Sequence, residues 1–491
     1  MDIKKIIIVG TGISAWAAAN LLHKQLPAEL VEVEVIEGIL GDSIPAESSR
    51  AQLLNFHELI GLSEKKVVSE TTAGFSLGIE FKKWSDAGQS CFVAEGIYGS
   101  AYRDVDFQSL YVKSRYLGNE ASFDHYSINA AAGSIGRFGH PAPDPKSIYS
   151  LIKYGLNLST VDYVEVLKKH AIEAGVKFTQ GGCKGVQLSP ETGCIQSITL
   201  DNGDCKPADF FIDCTGADSV LLGRGLGTED KVHTISTIYD RIIFGERAIT
   251  SSAKPAASLR LEDGSCIKSM TTETQEFIFY YFSSNYMSES AAKSKLKNLG
   301  ISTLQIKDFQ WQRKAQFWVK NCLAVGEAVM IVPDIVISPY HLMRNLLVRF
   351  IDFMGSFNND ISMSNEFNRL SAIEYDRLIE LNELAFYLGR SQSNSVQNYF
   401  LNNELCETTK HKLALFSSMA RHATAELDLL THTEWTALLT GNGIIPKAYD
   451  MKADLIEEKD LLQFLNKINV ATSEYAKRMP LHSNYIAQKL R

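Results

Sequence analysis

The stretch KKIIIVGTGISAWAAANLL, Lys4–Leu22, decides how the chain is read. Ile6–Val9 is a short continuous apolar run, the pattern of a strand buried on both faces. Gly10 permits a tight turn after it, and Gly12 lets backbone N–H groups approach a pyrophosphate with no side chain in the way. Ala15 is small enough for a helix to lie close to the strand. The following helix, expected over Ser14–Lys24, aims its N-terminal N–H groups at the phosphates. The next strand, VEVEVIEG, alternates and ends at Glu37, where a carboxylate accepts hydrogen bonds from a ribose diol. A glycine turn alone is weak evidence. Strand, turn, helix and acid in this order predict a dinucleotide site built from Gly10, Thr11, Gly12, Ile13, Ser14, Ala15 and Glu37.

Glu37 implies an adenosine ribose without choosing between NAD and FAD. The later chain chooses. A helical stretch over Thr160–Ala174 precedes two β runs. ADFFIDCTGADSVLL then gives a strand at Phe210–Asp213 with a small-residue turn at Thr215-Gly216-Ala217. NCLAVGEAVMIVP gives another strand ending in Gly326-Glu327-Ala328. GRGLG at 223–227 lacks the strand–turn–helix context of a second, nicotinamide site.

The chain has 491 residues, 45% hydrophobic and 22% charged, as in an ordinary globular protein. A net charge of −8 offers no basic stripe for nucleic acid. The eight cysteines form no C-x-x-C pair, so no metal site is expected and free thiols in a reducing compartment are. The apolar start is read as mature fold and not as a leader, because two glycines interrupt it. No apolar run reaches membrane-spanning length, and a cytoplasmic location is expected.

This dispersed order, with a β-insert and a late glycine-acid turn, resembles FAD-dependent monooxygenases. More closely, the residues resemble the flavin-dependent tryptophan halogenases. GTGISAW, AGFSLGIEFKKW (Ala73–Trp84), YGLNLSTVDYVEVLKKHAIEAGVKF, ADFFIDCTGADSVLL, YYFSSNYMSESAA and FWVKNCLAVGEA find counterparts there in the same order, over most of residues 1–350. The resemblance implies FAD as cofactor and adds Gly326 and Glu327 to the cofactor-binding residues. The family usually has Asp at the latter position.

Three departures accompany the matches. In the family a lysine follows the phenylalanine at position 75 and carries an oxidised halide toward the indole; here it is Ser76. If Phe75–Lys82 were one strand, Lys82 would share the Ser76 face but lie about 20 Å away. A family Pro-Leu-Glu-Ser-Thr-Gly segment, carrying a catalytic glutamate and a halide-lining backbone, corresponds to Pro333–Pro339. Ile335 stands at the glutamate position and Ile337-Ser338 at the Thr-Gly pair, with Asp334 one residue out of register. The Trp-x-Trp element that keeps substrate from the flavin is absent.

Taken together, these features predict an FAD-dependent, monooxygenase-like oxidoreductase acting on an aromatic, indole- or tryptophan-type substrate. Its electrons would come from a separate flavin reductase. Three alternatives remain: a tryptophan halogenase with a rearranged site; a maturation factor modifying a peptidyl tryptophan of a protein partner, as in quinone cofactor biogenesis; and a flavin-binding protein without turnover. No catalytic acid or base is assigned. Glu47 is either a flavin-side acid or an exposed helix-start acid. Arg50 is either a cofactor contact or, more in keeping with its type, a surface residue. His140 and His341 are weak candidates for a general base, and Trp16 flanks the cofactor or packs the helix.

The expected fold class is α/β. A Rossmann-type FAD lobe (1–90, 158–228 and 315–350) interleaves with a substrate lobe (91–157 and 229–314). A helical C-terminal region covers 351–491.

Overall fold

A computed structural model describes residues 3–38, 44–85, 90–232, 238–249, 253–262, 264–308, 310–354, 361–390, 405–423 and 426–489. The fold is mixed α/β, and its chain divides into two compact units. The first comprises 1–73, 158–237 and 308–376; the second comprises 74–157, 238–307 and 377–491. Residues 74–90 thus fall with the second unit, and the C-terminal helices divide between the units at residue 376.

The first unit is organised by a six-stranded sheet. Its order is Trp318–Val319, Cys322–Ala324, Phe210–Cys214, Lys5–Gly10, Glu32–Glu37, Lys177–Gln180. All pairings are parallel except the first. The apolar runs explain this: Ile6, Ile7, Ile8, Phe210, Phe211 and Ile212 are all fully buried, as strands covered on both faces must be. The helix Gly12–Gln25 starts two residues earlier than expected and packs against Thr160–Ala174, Gln52–Ile60 and Pro339–Met354. Asn20 ties it down by donating to Leu167 O at 2.8 Å. The first strand is flanked by the second strand on one side and by Phe210–Cys214 on the other. That reversal of strand order opens a crevice at the carboxyl ends of the strands.

The second unit carries a seven-stranded sheet in the order Ser302–Asp308, Arg241–Ala248, Gln275–Phe282, Ser265–Thr271, Ala257–Glu262, Gly78–Phe81, Cys91–Ala94. Helices Glu407–Met419, His432–Gly441, Glu458–Arg478 and His482–Lys489 belong to it. Phe75–Lys82 is not one strand. Gly74–Ser76 pairs with Gly155–Asn157, whereas Gly78–Phe81 pairs with Cys91–Ala94 and with Ala257–Leu259. The chain changes partner at Gly78, whose φ of 148° is open to glycine. Ser76 and Lys82 therefore do not lie on one strand. No described helix is long and apolar enough to cross a membrane.

Candidate functional site

Three glycine turns meet at the carboxyl edge of the parallel sheet. Val9 pairs with Asp213 and Gly10 with Cys214, while Asp213 pairs in turn with Ala324. The turns Gly10-Thr11-Gly12, Thr215-Gly216-Ala217 and Gly326-Glu327-Ala328 therefore follow adjacent strands. Gly10 has φ 141°, and a Cβ there would stand 2.0 Å from Cys214 O, so close packing of the two strands requires glycine. Gly12 has φ 77°, and a Cβ there would meet no atom within 4 Å. The space above Gly12 is open, which is what an approaching ligand needs. Gly326 lies against the same helix start: a Cβ on it would come within 2.3 Å of Ser14 Oγ.

The helix beginning at Gly12 has no side-chain cap from Thr11 and no acidic residue in its first turn. Its leading N–H groups and positive dipole end thus face the open space, as in anion-binding helix starts. Ile13 and Ala15 are buried beneath it. Asp213, fully buried, organises the neighbouring turn. Its Oδ1 accepts from Thr215 N (3.0 Å) and Thr215 Oγ1 (2.6 Å), and its Oδ2 from Leu221 N and Leu222 N (2.8 Å each). Burial raises its pKa against these hydrogen bonds. Asp213 was not singled out from sequence, although its place at the end of a buried apolar strand was visible.

Glu37 ends the second strand with its side chain largely enclosed. Oε1 accepts from Trp16 Nε1 at 2.9 Å and Oε2 from Lys168 Nζ at 2.5 Å. Trp16 is fully buried and so serves the carboxylate as well as the helix packing. Lys168 was missed, because it lies 131 residues from Glu37 on another helix. Glu327, half-buried, sits in the short 3-10 turn Gly326–Ala328.

Glu47 is not an exposed helix-start acid. It is fully buried in the strand Ala46–Ser48 and forms a two-pronged ion pair with Arg344, itself 3% exposed. Arg344 Nη1 donates to Glu47 Oε2 at 3.1 Å and Nη2 donates to Oε1. Nearby, His57 shares a 2.8 Å hydrogen bond with Tyr163 OH, and burial followed by the Arg344 charge lowers its pKa to about 3. His341 is likewise held at about 3, by burial and then by Arg50 and Arg344. Such imidazoles are neutral and too weakly basic for proton abstraction near pH 7. Arg50 is half-buried.

In the second unit, Ser76 is 3% exposed on the strand Gly74–Ser76. Phe75 beside it stacks on Phe138 at 4.2 Å and meets His140, Tyr154 and Tyr485 edge-on. His140 Nδ1 lies 2.6 Å from Tyr485 OH. Because successive strand side chains point to opposite faces, His140 lies on the Phe75 side and not the Ser76 side. In the first unit, Asp334, Ile335, Ile337 and Ser338 are all buried, at 1, 0, 1 and 3%. No cluster of His, Cys, Asp or Glu among the described residues is arranged to hold a metal.

The sequence matches the family description "Tryptophan halogenase" over residues 5–458. The tryptophan 7-halogenase RebH of Lentzea aerocolonigenes is 19% identical over 490 residues, 91% of each chain. The tryptophan 6-halogenase SttH of Streptomyces toxytricini is 22% identical over 352 residues; the chain spans 66% of it, just under two thirds of its length. Among solved structures, BrvH, a flavin-dependent halogenase from Brevundimonas sp. BAL3, superposes with a TM-score of 0.94 at 23% identity over 99% of both chains. The uncapped helix start, the open space over Gly12 and the acid ending the second strand fit a flavin adenine dinucleotide. Sequence match and fold agree over almost the whole chain, which therefore belongs to the tryptophan halogenase family, with FAD as its cofactor.

Proposed function

We propose that this chain is an FAD-dependent oxygenating enzyme for an aromatic, indole-type substrate, built on the halogenase scaffold without its halide chemistry. The observation that carries this reading is Ser76, a 3% exposed hydroxyl where the family resemblance places a lysine. A hydroxyl offers neither the positive charge nor the amine needed to hold an oxidised halide. Ile335 and Ile337, also buried, present hydrocarbon where a carboxylate and a backbone halide cradle are expected. Hydrocarbon side chains at these positions take up no proton from a substrate.

Gly10, Thr11, Gly12, Ile13, Ser14 and Ala15 would hold the FAD pyrophosphate, Glu37 the adenosine ribose, and Gly326 and Glu327 the remainder of the chain of FAD atoms. When bound and reduced, FAD supplies the electrons for oxygen activation, while the protein supplies binding, orientation and exclusion of water. A separate flavin reductase would provide those electrons, since no second nucleotide motif is present.

The test supplies reductase-generated reduced FAD, labelled oxygen and bromide or chloride to the purified protein. Indole, tryptophan and tryptophan-containing peptides serve as substrates, with products read by mass spectrometry. The expected result is label in the product and no dependence on halide. Bromide-dependent halogenation at repeated turnover would overturn the proposal. It would favour the second reading, a halogenase with a rearranged site, which the likeness to RebH and BrvH over nearly their full lengths supports.

A further inference from the structure

Lys168 lies where no sequence motif put it. Its Nζ donates to Glu37 Oε2 at 2.5 Å, and it stands 4.4 Å from the Phe178 ring centroid and 5.5 Å from that of Trp16. The two rings are themselves 5.9 Å apart. The ammonium is therefore seated between a carboxylate and two aromatic faces, which attract a cation electrostatically. Other lysine–glutamate pairs edge this sheet, such as Lys177–Glu32 and Lys206–Glu34. The Glu37 pair differs in standing at the carboxyl end of its strand, beside the glycine turn, with an indole N–H on its second oxygen.

A carboxylate has about four acceptor positions on two oxygens. Trp16 fills one on Oε1 and Lys168 one on Oε2, so each oxygen keeps an acceptor position. A cis-diol presents two O–H donors at a spacing that suits two such oxygens. The lysine also neutralises an acid that would otherwise repel a nearby pyrophosphate.

We propose that Lys168 is a positioning residue for the adenosine end of FAD, holding the Glu37 carboxylate oriented so that both oxygens receive the ribose diol. This rests on the reading of Glu37 as the ribose acceptor. Lys168 is not assigned a contact with the cofactor.

The experiment uses the full chain and measures FAD affinity by fluorescence quenching, then displacement of FAD by ADP and by 2′-deoxy-ADP. The preference for ADP over 2′-deoxy-ADP reports the diol contact and is insensitive to general packing. Lys168→Met is expected to weaken FAD binding about tenfold and to bring the two ADP affinities together, whereas Lys168→Arg keeps the preference. Where Lys168→Met does not fold, Phe178→Leu, which removes one ring beneath the ammonium, is expected to shift the preference the same way. A wild-type preference in Lys168→Met, or equal weakening for both nucleotides, overturns the proposal. Glu37→Gln separates the two claims: if it abolishes the preference while Lys168→Met does not, only the lysine's role fails. If Glu37→Gln leaves the preference intact, the ribose reading itself falls.

Discussion

A methyl group added at Gly10 would collide with the backbone of Cys214, but one added at Gly12 would enter open space. The two glycines therefore predict opposite signatures. Gly10→Ala should unfold or severely destabilise the first unit, because the collision is with a neighbouring strand and not with a movable side chain. Gly12→Ala should cost only about 1–2 kcal/mol for its left-handed backbone, and should mainly weaken FAD binding. Denaturant unfolding beside flavin titration separates the two. Ser76 makes a third prediction at this scale. A lone lysine in its buried setting costs on the order of 1–3 kcal/mol when unpaired, and burial lowers its pKa. Ser76→Lys should yield a less stable protein and no brominated tryptophan by mass spectrometry. Clear bromination would show that a halide site exists elsewhere. The glycine turn was legible in the sequence because each of its signals, strand, turn and helix, lies within a few residues of the next. The partners of Glu37 were not, since Lys168 is far away in sequence and nothing local marks it.

Among the elements, the helix Pro339–Met354 and the strand Ala46–Ser48 are joined by the buried Glu47–Arg344 pair. Breaking a buried pair strands a charge away from water, at a cost of about 3–5 kcal/mol. Arg344→Met should lower stability by this amount, and adding Glu47→Gln should recover part of it by removing the abandoned anion. Urea unfolding of the two variants checks the order. If the double variant is no more stable than Arg344→Met, the ion pair is not what binds these elements. The sequence left Glu47 open between a flavin-side acid and an exposed helix-start acid, because a partner 297 residues away leaves no periodic trace. The break between Ser76 and Lys82 did leave one. A glycine within a strand pattern signals a bulge or a change of partner, and Gly78 is such a glycine. The parallel strands of the first unit were readable from their apolar runs even though the chain leaves and returns between them.

Over the whole molecule, buried histidines tie stability to acidity. The folded pKa values of His57 and His341 are lowered to about 3, chiefly by burial, and those of His422 and His482 to about 4. Each ring stays neutral in the fold but is protonated in the unfolded chain below about 6.5. Their contribution is therefore complete above that pH and falls as pH drops toward the folded values. Glu383, raised to about 7 by burial, and Asp213, also raised, act in the opposite sense and are outnumbered. The urea midpoint should be lower at pH 5.5 than at pH 7.5, and His57→Gln should narrow the difference; equal midpoints would contradict this account. The three turns at the sheet edge also have a consequence for synthesis. A chain emerging amino end first exposes Gly10–Gly12 early, yet the neighbouring strand arrives only with residues 210–214 and the third turn only with Gly326. A polypeptide released before that point would carry the phosphate loop without its neighbours. The sheet edge that carries the cofactor-binding residues is thus complete only once the third turn has been synthesised, so that FAD binding follows the making of Gly326.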